Sequence, residues 1–204
     1  MTLNAEIEKF KLWALSYPED QRGGEWECNY ENWGDLHKAV LDFIASTYYQ
    51  DWTETEIEDL LYAIARDNEI EYLIEEISQI PERLLFLSSH ALASDEADAK
   101  WQMAVKLGGL ANHKNDAEKF LLELIKDENE YVSRQALLSL GKLKSSFAEA
   151  LAEHAWETGH EYQRIAALWV LKDLESKRLE LFLQKAEEDG RLYVLQNANE
   201  IKNA

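Results

Sequence analysis

A chain of 204 residues with 46% apolar residues and seven tryptophans carries enough apolar material for a core, which argues against a disordered chain. The formal net charge of −19 is unevenly spread: residues 1–100 hold 23 acids against 7 bases, and residues 101–204 hold 17 against 14. A field of that sign repels nucleic acid and anionic lipid and attracts basic partners.

In chain order, the first ten residues are polar and acidic, without the basic and apolar regions of a secretory signal, and no run approaches the about 18 apolar residues of a membrane span. The expected compartment is the cytoplasm. Leu3, Ile7, Phe10, Leu12, Trp13 and Ala14 predict a helix over 3–17 that ends before Pro18. A long irregular stretch over 18–34 follows, with Gly23-Gly24 and the aromatic residues Trp26, Tyr30 and Trp33. A loop of this length is often a binding element; the plainer reading is that Trp26 and Trp33 cap the open end of the helical stack.

A second helix is predicted from Gly34 or Asp35 to Tyr49, with Leu36, Val40, Phe43 and Ile44 on its apolar stripe. A third is capped by Thr53 or Thr55, where Thr55-Glu56-Ile57-Glu58 matches a capping box, and buries Ile57, Leu60, Leu61 and Ile64. A fourth takes Ile70, Leu73, Ile74 and Ile77 and ends before Pro81. Residues 51–82 hold 11 acids against Arg66 alone. With the stripes assigned to the core, those carboxylates are expected on the solvent side, repelling one another. Leu84–Leu92 form the next helix.

Beyond that point one pattern returns in a fixed register. Tyr131, Tyr162 and Tyr193 are 31 residues apart, followed in phase by Val132/Gln163/Val194, Ala136/Ala167/Ala198, Leu137/Leu168, Leu140/Leu171 and Leu143/Leu174. Met103, Ala104, Leu107, Gly108 and Leu110 align one period earlier. Recurrence near 30 residues with two helical patterns per unit is the mark of a solenoid. The predicted pairs are 99–110 with 117–125, 131–143 with 147–157 and 162–174 with 178–187, before a last helix from Leu192. Asn199 and Lys202 stand there where earlier units have leucine, as a terminal repeat requires.

The string Asp127, Val132, Ala136, Leu137, Leu140, Gly141, Leu143 resembles the short HEAT-like repeat. The second copy keeps Ala167, Leu168 and Leu171 but has Lys172 in place of the glycine. The resemblance covers 99–201; ankyrin and tetratricopeptide signatures fit worse. It implies an all-α, right-handed solenoid of HEAT/armadillo-like helix pairs in one domain over 1–204. Residues 1–95 would form degenerate pairs and 96–204 the regular repeats. Proteins of this fold include scaffolds, lyase-like proteins, DNA glycosylases and bacterial immunity proteins, so fold alone does not choose a function.

Motifs for catalysis are missing. The five histidines are scattered, and no HExxH, GxSxG, phosphate loop or dinucleotide fingerprint occurs. Cys28, the one cysteine, excludes an internal disulfide, and its acidic neighbours disfavour a thiolate. A glycosylase-like role needs a basic face that neither half supplies. The expectation is a protein-binding module without cofactor or metal. Its sharper form is an immunity protein that neutralises a basic nuclease toxin; the alternative is a general scaffold. The expected contact residues are Glu25, Trp26, Tyr30 and Trp33 of the loop with Glu54, Glu56, Asp59, Glu71, Glu75 and Glu76. The tyrosines at 131, 162 and 193 are expected to pack between repeats, each hydroxyl reaching water or a neighbouring backbone group, rather than to form a peptide-binding stripe.

Overall fold

The computed structural model describes residues 2–203, which form twelve α-helices joined by turns. They gather into two compact units, Met1–Met103 and Ala104–Ala204.

In the first unit, α1 (Leu3–Ser16), α2 (Trp33–Ser46), α3 (Glu54–Arg66), α4 (Tyr72–Ser78) and α5 (Pro81–Ala91) stack so that α1 lies on α3, α2 on α4 and α3 on α5. Each helix also touches its sequence neighbour in the pairs α1–α2, α3–α4 and α4–α5. These helices therefore keep the arrangement of stacked helix pairs. Burial of Leu36, Leu60, Ile64, Leu73, Ile74, Ile77, Leu84 and Leu87 supplies the common core. Helix α6 (Ala97–Leu107) follows.

Several expectations require correction here. The stretch over 18–34 is not irregular throughout: it contains 3₁₀ turns at Glu19–Gln21 and Trp26–Asn29, and α2 already begins at Trp33. The cap of α3 is Thr53, not Thr55; its hydroxyl accepts from the Glu56 N–H while Glu56 returns to the Thr53 N–H at 2.8 Å. Ile70 is 70% exposed and lies outside α4, because Glu71 turns the chain through a left-handed conformation at φ 55°. Leu12 is also exposed. Asp59 and Asp67, expected in solvent, are buried.

The second unit holds α7 (Lys114–Leu124), α8 (Glu130–Lys142), α9 (Ala148–Glu157), α10 (Glu161–Asp173), α11 (Leu179–Asp189) and α12 (Leu192–Asn203). First helices of successive pairs lie side by side, α8 on α10 and α10 on α12. Small residues set that approach. A Cβ on Gly141 would meet Val170 Cγ2 at 2.9 Å, and one on Gly108 would meet Ser139 Oγ at 2.7 Å. Gly108 and Gly141 are thus sites of close packing, as the repeat pattern implies.

The turns repeat as faithfully as the helices. Side-chain oxygens of Asp127, Thr158 and Asp189 accept the N–H two residues on, at 2.9, 3.2 and 3.2 Å, and fix the entry to α8, α10 and α12. At the helix exits Lys144 and Glu175 take left-handed φ of 49° and 51°, after which Ser145 and Ser176 N–H return to the carbonyls of Leu140 and Leu171. On the final helix Val194, Ala198 and Ile201 are buried, and Asn199 and Lys202 are exposed. The tyrosines at 131, 162 and 193 are 38, 46 and 52% exposed, and the first two share the Arg134 guanidinium across neighbouring repeats.

Candidate functional site

The loop aromatics form a cluster at one end of the first unit. Pro18 and the two 3₁₀ turns bring the chain back across α1, so that Trp26 stacks on Trp13 at 5.4 Å and 12°. Phe10 lies at the centre, with Tyr30 at 4.7 Å, Trp33 at 5.2 Å and Tyr62 at 5.9 Å. Tyr30 is only 4% exposed, so its ring supports the cluster from inside. Trp26 and Trp33 are half-buried, and Trp33 Nε1 donates to the Glu27 carbonyl at 2.9 Å. One edge of Trp26 remains in a recess of about 370 Å³ with Lys11, Leu15, Arg22, Tyr62 and Arg66.

The six carboxylates singled out on the neighbouring helices have different roles. Glu56 is held by the Thr53 cap. Asp59 pairs with Lys11 Nζ at 3.0 Å and accepts from Asn4 Nδ2 at 3.4 Å. Glu71 occupies the turn before α4, Glu75 is exposed on α4 and Glu76 is half-buried. The backbone carbonyl of Glu76, with those of Ile77 and Ile44, accepts from the buried Arg83 guanidinium. Burial lowers the pKa of Arg83, and the Glu76 charge offsets part of that.

Glu54 alone of the six lines a groove of about 500 Å³. Glu54, Glu58, Asp95 and Glu96 stand on its rim, with Lys11 and His90, over a floor of Ile57, Leu61, Tyr62 and Ala93. Sequence reasoning missed Glu58, Asp95, Glu96 and His90. Glu54 and Glu58 are four apart on α3 and hence share a face, a signal that was available. Asp95 and Glu96 reach the groove only through the α5–α6 turn. Glu96 is engaged by Arg66, whose guanidinium also lies 4.2 Å from the Tyr62 ring.

Glu25 lies near Glu69, and a hydrogen bond between the two carboxyl groups, with their mutual repulsion, raises the pKa of Glu25. Partial desolvation, then the charges of Glu25 and Glu69, raise the Cys28 thiol and keep it protonated. What this surface can do chemically is receive a cation: an aliphatic stem on the apolar floor and a positive head among carboxylates. Among the described residues no three acids, histidines or cysteines converge in a way that could hold a metal ion. No described helix is long and apolar enough to cross a membrane.

Stacked helix pairs in each unit define an all-α helical-repeat protein, a class that suggests a protein-interaction scaffold. The chain belongs to the HEAT repeats, whose family model matches residues 84–198. No curated protein and no solved structure matches it.

Proposed function

We propose that this HEAT-repeat chain is a non-catalytic binding protein whose first unit takes up a basic protein surface. The groove of Glu54, Glu58 and Asp95 over Ile57 and Leu61 carries the reading, because it gathers more carboxylates than cations above an apolar floor, with Lys11 already drawn toward Asp59. Outside the groove's lining, Glu25 beside Glu69 adds a second acidic pair to the same unit, and two crowded carboxylates gain from the arrival of a cation. In its sharper form the partner is a nuclease toxin and the chain its cytoplasmic immunity protein. Carboxylates then meet the surface that the toxin offers to phosphates, and the bound protein blocks access to it. Charge speeds such an association, and the buried contacts slow release.

The test is a capture experiment from the native cell with tagged wild-type protein and the triple variant Glu54→Gln/Glu58→Gln/Asp95→Asn, washed at rising salt. One small basic nuclease, retained in near-equal amount by the wild type and lost by the variant, is the expected result. Several partners retained equally by both proteins would move the function to a general scaffold and remove the groove from it.

A further inference from the structure

The second unit holds a recess of its own. It encloses about 450 Å³, bounded by the α7–α8 turn, α8, α9 and the start of α10, on a floor of Ile125, Leu137, Leu151 and Ala155. One residue on its wall breaks the repeat. Gln163 of α10 stands in phase with Val132 of α8 and Val194 of α12, both fully buried, and is itself only 7% exposed. A glutamine in that layer brings two polar atoms where its counterparts bring methyl groups, and the protein uses one of them. Nε2 donates to Ser133 Oγ at 3.2 Å and to the Glu130 carbonyl at 3.4 Å, whereas Oε1 has no hydrogen-bond partner among the described residues. An amide oxygen so placed costs stability unless a donor from outside the chain reaches it, and valine would leave nothing to satisfy. Departures of this kind from a repeat's own packing rule belong to functional positions.

Ser133 completes the polar wall. Its oxygen accepts from Gln163, and its own O–H makes no hydrogen bond among the described residues. The two side chains therefore offer an acceptor and a donor side by side, which matches the adjacent N–H and C=O of one planar amide. The charges around the recess favour a neutral ligand. Glu130 is engaged by Arg134 and His160, Lys126 by Glu123, and Asp127 by the Asn129 N–H. Glu128 is left on the rim, where it disfavours an anion.

We propose that this recess binds a small neutral carboxamide, with its N–H on Gln163 Oε1, its carbonyl on the Ser133 hydroxyl and its apolar body over Leu137 and Leu151. A volume of about 450 Å³ lies in the range of small-molecule sites. The proposal rests on the second unit alone and is independent of the acidic groove.

Benzamide is the probe and benzoate its anionic isostere, each titrated into the full chain and followed by amide shifts in two-dimensional NMR. Benzamide is expected to bind at least about tenfold more tightly than benzoate, with the shifts centred on Gln163 and Ser133. Gln163→Val is expected to remove that preference and to melt at or above the wild-type temperature. Ser133→Ala is expected to weaken benzamide about fivefold with the melting temperature unchanged. Equal binding of the two probes, or benzamide binding undiminished in Gln163→Val, would overturn the proposal. A clearly lower melting temperature for Gln163→Val would assign the glutamine to the fold and overturn it as well.

Discussion

Asp67 Oδ2 accepts the backbone N–H of Leu73 at 2.7 Å, while Asp67 Oδ1 lies 3.1 Å from His37 Nε2. One buried carboxylate thus caps α4 from six residues upstream and ties that helix to α2. The N-cap position itself, Glu71, makes no side-chain cap. Asp67→Ala is expected to lose about 1–3 kcal/mol, as an orphaned donor and a lost cap require. Urea denaturation measures it; a change within a few tenths of a kcal/mol would mean that Asp67 is dispensable.

Two glycines should respond oppositely to alanine. At Gly108 the new Cβ would lie 2.8 Å from Ser139 Cβ and 3.0 Å from its Cα, a contact that forces helices apart. Gly108→Ala should therefore cost about 1–3 kcal/mol. Gly34, inside α2, has nothing within 4 Å of that position. Gly34→Ala should add about 0.5–1 kcal/mol through helix propensity. Thermal melts of the pair give the comparison.

Aromatic and acidic residues of the first unit should separate stability from binding. Trp33→Ala removes a ring that touches Phe10 and a donor to Glu27, and should cost about 2–4 kcal/mol. Glu54→Gln and Glu58→Gln, both exposed, should leave stability within about 0.5 kcal/mol. Their expected effect is slower association with the proposed basic partner, visible in stopped-flow rates and erased at high salt.

The Glu25–Glu69 pair predicts a pH dependence. Glu25 is raised above its ordinary value, so it takes up a proton at higher pH than a lone glutamate. A bound cation favours the ionised form. Affinity for the basic partner should therefore fall as pH drops through the Glu25 titration, and Glu69→Gln should shift that fall to lower pH. For folding the sign is reversed: a raised carboxyl contributes stability at low pH that is lost as pH rises through its folded value. Glu69→Gln should then be neutral or slightly stabilising at neutral pH. Calorimetric titration and thermal melts across the acid range check the two signs.

Asp189 provides the opposite case. Hydrogen bonds from Arg191 and Arg164 hold its carboxyl well below the ordinary carboxylate range. Its contribution is complete above the unfolded carboxylate value of about 3.9 and is lost as pH falls from there toward the folded one. Asp189→Asn should cost about 1–3 kcal/mol at neutral pH and little in strong acid, read by denaturation at both.

Much of the second unit was legible because its spacing is periodic. The predicted helices 131–143 and 162–174 correspond to Glu130–Lys142 and Glu161–Asp173, and polar Asn199 and Lys202 marked the end of the stack. Asp127 is readable as part of the repeat string, but the entry turn it shares with Thr158 and Asp189 is not, since aspartate and threonine differ in identity while offering the same acceptor. In the first unit Leu73, Ile74 and Ile77 were readable as a stripe, but Ile70 was not separable from it. Only the left-handed turn at Glu71 takes it out of phase.

Taken alone, the sequence determined the all-α repeat, the small residues at the helix contacts and the concentration of negative charge in the first half. Periodicity and composition are local or additive properties, and one chain reports them fully. The tertiary structure decided which acids line an open groove and which are held inside. Glu58 and Asp95 meet across a groove, whereas Asp59 and Asp67 are drawn inside by Lys11, His37 and a helix N–H. It also decided how far the tyrosines at 131, 162 and 193 are exposed, because ring exposure depends on which helices lie beside them. Spacing along a chain identifies the face a residue shares; only packing settles what that face meets.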